Sequence, residues 1–129
     1  MQYRGKAPTN YHEEQDIDNT LKMREILGEL PRFCRQYFRA IEQTASSRTC
    51  LGYAYDLRTF FEFLKDYNPS LSRKKISEYP VSILEQIGRE DIEEYLDFLS
   101  YYEKDGRIYT NGDLAKARKL SALRSLFQY

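Results

Sequence analysis

The chain has 129 residues, 41% hydrophobic and 31% charged. That length and balance describe one globular domain with a single core and exclude a disordered chain. Lys and Arg match Asp and Glu at a net charge of zero, which excludes a uniformly basic, non-specific nucleic-acid binder but leaves room for a charge-segregated one.

No apolar run approaches the roughly 20 residues that a membrane helix needs. The N-terminus has no apolar signal-peptide core, so a cytoplasmic location without a membrane partner is expected. The charge is visibly segregated. Between residues 111 and 129, Lys116, Arg118, Lys119 and Arg124 stand against Asp113 alone. Between residues 85 and 103, Glu85, Glu90, Asp91, Glu93, Glu94, Asp97 and Glu103 stand against Arg89. Cys34 and Cys50 have no metal-like spacing and fall within apolar stripes, as free buried thiols do. The single histidine, His12, lies in a polar stretch and suggests no metal or catalytic site.

Residues 1–18 carry Gly5, Pro8 and the Glu13-Glu14-Gln15-Asp16 run without helical or strand period, and read as a flexible N-terminal leader. The folded domain is expected over 19–129. Asn19 is suited to cap a helix from Thr20 whose apolar positions are Met23, Ile26, Leu27 and Leu30. Pro31 interrupts it, and a new or kinked helix follows with Phe33, Cys34, Tyr37, Phe38 and Ile41 on its core face. Arg32, Arg35 and Arg39 fall on its other faces and read as solvated.

Ser46 or Ser47 can cap the next helix, which runs to about Tyr67. Cys50, Tyr53, Leu57, Phe60, Phe61 and Leu64 form its core side; Arg48, Gly52, Tyr55, Thr59 and Glu62 form the opposite side. A glycine inside a helix costs about 1 kcal/mol relative to alanine. Gly52 therefore asks for a reason, either close packing on another helix or close approach of a ligand backbone.

Asn68-Pro69 ends that helix. The stretch to about residue 82 has linker chemistry; its Arg73-Lys74-Lys75 triplet is open to a phosphate contact but reads first as a solvated loop, and residues 81–87 read as a short turn packed on the core. From Gly88 a helix with acidic first turns carries Ile92, Tyr95, Leu96, Leu99 and Tyr102 on its apolar stripe. Glu93 and Glu94 are adjacent on this helix, point in different directions and form no catalytic pair. Lys104-Asp105-Gly106 and Asn111-Gly112 are turn signals around an extended loop or short hairpin at Ile108 and Tyr109.

The last helix starts near Asn111 or Asp113. Leu120, Leu123, Leu126 and Phe127 form its core side; Arg118, Ser121, Ser125 and Gln128 form its outer side. Small residues beside cations let a helix approach a nucleic-acid backbone closely and neutralise it. The chain stops at Tyr129 without a tail, as if cut from a larger protein. The whole reads as an all-α bundle of four to five helices. It carries no Gly-rich phosphate loop, HExxH, paired CxxC or GxSxG motif, so no cofactor, metal or catalytic residue is expected and an independent enzyme is disfavoured.

Two segments together carry a resemblance. One is Ser46-Ser47-Arg48-Thr49 followed by Tyr53-Ala54-Tyr55-Asp56-Leu57-Arg58-Thr59-Phe60-Phe61-Glu62-Phe63-Leu64. The other is Asp91-Ile92-Glu93-Glu94-Tyr95-Leu96, followed after a loop by Ala117-Arg118-Lys119-Leu120-Ser121-Ala122-Leu123-Arg124-Ser125-Leu126-Phe127. Over residues 25–129 the chain resembles the core-binding domain of tyrosine site-specific recombinases, the phage-integrase and Xer-type family. The resemblance implies a SAM-like orthogonal bundle that clamps duplex DNA at a recombination site and touches neighbouring protomers assembled there. It implies that Ser47, Arg48, Thr49 and Gly52 face DNA from one helix, with Tyr55 on the same face. Lys116, Arg118, Lys119, Ser121 and Arg124 are implied to do so from the last helix. The family's catalytic tyrosine lies on a separate domain, expected after residue 129, so this fragment is expected to bind and not to cut. Gly88 stands where the family often has a capping hydroxyl. The rival reading is a helical protein-interaction module that uses the acidic helix and exposed tyrosines and binds no DNA.

Overall fold

A computed structural model describes residues 11–129, so residues 1–10 of the expected leader lie outside the described residues. Helix α1 (Tyr11–Leu27) corrects the rest of that expectation: residues 11–18 are its first turns. Its hydrophobic period is weak there because α1 buries only Asn19, Met23 and Ile26. Polar contacts do part of the docking. The buried Asn19 is no cap; its Nδ2 donates to Ser47 Oγ at 3.3 Å, and that hydroxyl donates to Asp16 Oδ1 at 2.7 Å.

The buried Pro31 separates α1 from helix α2 (Cys34–Ile41), which turns Cys34, Tyr37 and Phe38 into the core. Helix α3 (Ser47–Tyr67) is the central element, packed along α1 and against the last helix. Ser46 caps it, its Oγ accepting from the Thr49 N–H at 3.1 Å. Cys50, Leu57, Phe60, Phe61 and Leu64 are buried as their stripe requires, while Tyr53 is half-buried.

The stretch after α3 is pinned rather than solvated throughout. Leu71 and Tyr79 are buried, the Tyr79 hydroxyl donates to the Leu71 carbonyl at 3.1 Å, and Lys65 donates to the carbonyl of Ser72 at 3.0 Å. A 3₁₀ turn (Ile76–Glu78) and the one-turn helix α4 (Ile83–Gln86) lead to helix α5 (Arg89–Ser100). Gly88 has no capping side chain, but its N–H donates to Asp91 Oδ2 at 2.8 Å, which fixes the start of α5.

Helix α5 stops two residues before the end of the expected stripe. Strand β1 (Tyr101–Lys104) pairs antiparallel with β2 (Arg107–Thr110), in the register Tyr101↔Thr110 to Lys104↔Arg107. Asp105 and Gly106 join them at φ 53° and 77°, the two positive values that a two-residue type I′ hairpin turn demands. Asn111 then donates to the Leu99 carbonyl at 2.9 Å, satisfying the end of α5.

Helix α6 (Asp113–Gln128) buries Ala122, Leu123 and Leu126. Two expectations reverse here. Phe127 is 41% exposed, and Ser125 turns inward to accept the Tyr37 hydroxyl at 2.6 Å. That long-range bond sets the rotation of α6 at its C-terminal end. The all-α expectation holds, with the small hairpin as its only sheet among the described residues. The core is one cluster centred on Tyr37, Phe38, Phe60, Phe61 and Tyr95, whose rings meet edge-on, as at Phe60–Tyr95 with centroids 5.0 Å apart. Cys34 and Cys50 are free and buried in it. No helix among the described residues is long and apolar enough to cross a membrane.

Candidate nucleic-acid interface

Packing of α6 on α3 leaves a concavity of about 650 Å³ between their outer faces. Helix α3 contributes Arg48, Thr49, Gly52, Tyr53, Tyr55 and Asp56; α6 contributes Arg118, Lys119 and Ser121. Seven of the ten expected interface residues thus meet in one groove, from two segments more than fifty positions apart in sequence.

Each has a local reason for its place. Arg48 and Arg118 are exposed and enter no ion pair among the described residues, so they carry the groove's uncompensated charge. A side chain at Gly52 would meet nothing within 4 Å, so close helix packing does not explain this glycine. It leaves the groove floor at backbone level. Tyr55, 41% exposed, is steadied by the Arg58 guanidinium 5.2 Å from its ring centroid. Arg58 is held in turn by Glu29 at 3.1 Å. The Thr49 hydroxyl is engaged with Ser46 Oγ at 3.0 Å, and the Ser121 hydroxyl with the Ala117 carbonyl at 3.1 Å.

Lys119 differs from its expected role. Its ammonium turns in to Asp56 Oδ1 at 3.0 Å, and the two side chains are only 11% and 5% exposed. The pair is neutral and ties α6 to α3, so Lys119 brings little free charge to the groove. Asp56 is the residue that sequence reasoning missed. The available signal was a carboxylate four residues after Gly52, on a stripe otherwise suited to an anion.

Three expected residues lie elsewhere. Ser47 is bonded to Asp16 and Asn19 on α1. Lys116 donates to Ser100 Oγ at the end of α5, where the helix dipole favours a cation. Arg124 is exposed on α6 outside the groove.

No family model and no solved structure matches the chain. It is similar to tyrosine recombinase XerC of Caldanaerobacter subterraneus subsp. tengcongensis, 31% identical over 99 residues covering 72% of this chain and 26% of that protein. The chain is related to a tyrosine recombinase. It spans about a quarter of that relative's length. A match of this extent within 129 residues necessarily includes α3.

Beside this recombinase relationship, the chain's own phenols have a clear chemistry. Burial pushes Tyr37 up to about 12 and raises Tyr79, Tyr95 and Tyr102 as well. None of these four is primed as a phenolate nucleophile. Tyr79 joins Tyr37 and Tyr95 as a buried core residue, inside the stretch whose composition reads as a linker.

Proposed function

We propose that this chain is the core-binding domain of a tyrosine-type site-specific recombinase and clamps duplex DNA through the α3–α6 groove. The cutting and rejoining chemistry would lie in a part of the protein outside this chain. The observation that carries the reading is the convergence of Arg48 and Arg118 on a groove whose floor is bare backbone at Gly52. Guanidinium groups neutralise phosphate and can pair bidentately with it or with a guanine edge. Most such contacts position a protein without reading sequence. The partners are duplex DNA and further protomers assembled on it, met in the cytoplasm.

Arg48→Ala with Arg118→Ala tests this directly. Both side chains are exposed, so the variant keeps the parent's thermal melt. Its affinity for duplex DNA by fluorescence anisotropy is expected to fall several-fold. The slope of log K against log salt should become shallower by about 0.9 for each phosphate that the variant no longer neutralises. Equal affinity and slope for variant and parent would sink the assignment of this groove. Lys119→Ala is the wrong probe, because it strands Asp56.

One observation favours a second reading. Helix α5 exposes Glu90, Glu93, Glu94 and Asp97, of which Glu93 faces Arg89 at 3.7 Å. That acidic face suits a protein partner. An amide-shift titration with a duplex separates the two: movement at residues 48–55 and 118–121 supports DNA in the groove, and movement confined to 89–103 supports the protein-interaction reading.

A further inference from the structure

Helices α1 and α2 line a second concavity, of about 490 Å³, that reaches Glu42 at the C-terminal end of α2. Arg24 from the last turn of α1 and Arg35 and Arg39 from α2 line it, over a floor of Leu27 and Gly28. Arg35 and Arg39 are one helical turn apart, a spacing at which like charges repel. All three are exposed, and none enters an ion pair among the described residues. The facing acid is Glu42 at the rim, one carboxylate against three guanidinium groups. Three cations lining one concavity against a single lining carboxylate suit an oxyanion, and guanidinium geometry matches the phosphoryl group.

The furrow also adjoins a cleft between α1 and α3 through a shared residue. Glu42 lines both the furrow and the adjoining cleft of Thr20, Ala45, Ser47 and Cys50. Ser47 immediately precedes Arg48, which lines the α3–α6 groove.

We infer that the α1–α2 furrow is a second phosphate site, in which Arg24, Arg35 and Arg39 hold the backbone of DNA flanking the stretch seated in the α3–α6 groove. The inference rests on reading that groove as a DNA interface. It adds a contact made by α1 and α2 and gives a binding role to arginines that looked merely solvated. The contact is with phosphate, so it contributes affinity and salt dependence and no base preference.

The test is fluorescence anisotropy on the full chain with a long duplex and a short one trimmed to the groove, comparing parent, Arg35→Ala/Arg39→Ala and Arg48→Ala/Arg118→Ala. The furrow variant is expected to bind the long duplex several-fold more weakly, with a salt slope shallower by about 1.8, and to bind the short duplex as the parent does. Glu42→Gln is expected to tighten binding to the long duplex. Parent-like affinity and slope of the furrow variant on the long duplex, beside a weakened groove variant, would overturn the furrow and leave the groove standing. Parent-like behaviour of both variants would overturn the groove reading and the furrow with it. Inorganic phosphate alone, followed through the arginine Nε–H signals, separates the remaining source. Shifts of Arg35 and Arg39 with phosphate but none with the long duplex would overturn DNA as the occupant.

Discussion

Asp56 is a carboxylate only 4% exposed, beneath a groove that otherwise presents cations. Its bond to Lys119 joins positions 63 apart in sequence and fixes how α6 lies on α3. Removing one member of a buried ion pair strands the other charge, at a cost of about 3–5 kcal/mol. Replacing both by apolar groups of similar volume is often neutral or stabilising. Asp56→Ala is therefore expected to lower unfolding stability in urea by about 3–5 kcal/mol. Asp56→Leu with Lys119→Met should recover most of that loss. The double variant keeps Arg48 and Arg118, so its duplex affinity should stay close to the parent's. A double variant as unstable as Asp56→Ala would show that the pair does more than neutralise itself. Tyr95 shares this neighbourhood: its hydroxyl has no hydrogen-bond partner, and burial first, then the Asp56 charge, raises its pKa.

Helix α3 carries both the core and one wall of the groove, and Gly52 is where the two demands conflict. A helix-interior glycine costs about 1 kcal/mol against alanine, and no neighbour occupies the space where a Cβ would sit. Gly52→Ala is expected to raise stability in urea by about 1 kcal/mol and to weaken duplex binding, with Gly52→Leu weakening it further. Stabilisation with undiminished affinity would mean that no DNA backbone approaches α3 there. The amphipathic division of α3 and the cationic strip of α6 were legible in sequence, because exposed polar residues and buried apolar ones recur at helical spacing. The hairpin was legible from Asp105-Gly106, a pair suited to two positive φ values. The first turns of α1 were not, because Asn19, Ser47 and Asp16 hold that helix through side-chain hydrogen bonds that leave no apolar period. Nor were the reversed places of Ser125 and Phe127, which depend on the Tyr37 hydroxyl far away in sequence. Five groove residues, Arg48, Gly52, Tyr55, Arg118 and Ser121, were legible as two helix faces, and Thr49 and Lys119 only through the family resemblance; that Lys119 is already spent on Asp56 was not.

Across the whole molecule, charge and titration are kept apart. Exposed arginines line the groove and the furrow, an acidic face lies on α5, and the core holds buried thiols and phenols. Burial pushes Cys34 from 9.0 up to about 12 and, with smaller electrostatic contributions, Tyr37 from 10.0 up to about 12. In the unfolded chain each releases its proton near its ordinary value. Above pH 9 the unfolded state therefore holds fewer of these protons than the folded state, and stability falls as pH rises. Each group contributes a slope of up to about 1.4 kcal/mol per pH unit until its folded pKa is reached. The stabilisation is fully present below pH 9 and is lost through the window up to about 12. Salt should leave this alkaline slope in place, since the groups behind it are buried. Urea midpoints measured from neutral pH upward are expected to be flat with respect to these groups and then to fall, first through the thiols of Cys34 and Cys50 and then through Tyr37. Cys34→Ala should lessen the earlier part of the fall, leaving the Cys50 share and the later part. An unchanged early slope in Cys34→Ala would mean that the Cys34 thiol is not a group whose burial opposes ionisation, and would leave the early fall to Cys50, whose burial also raises its thiol, and the later fall to the phenols.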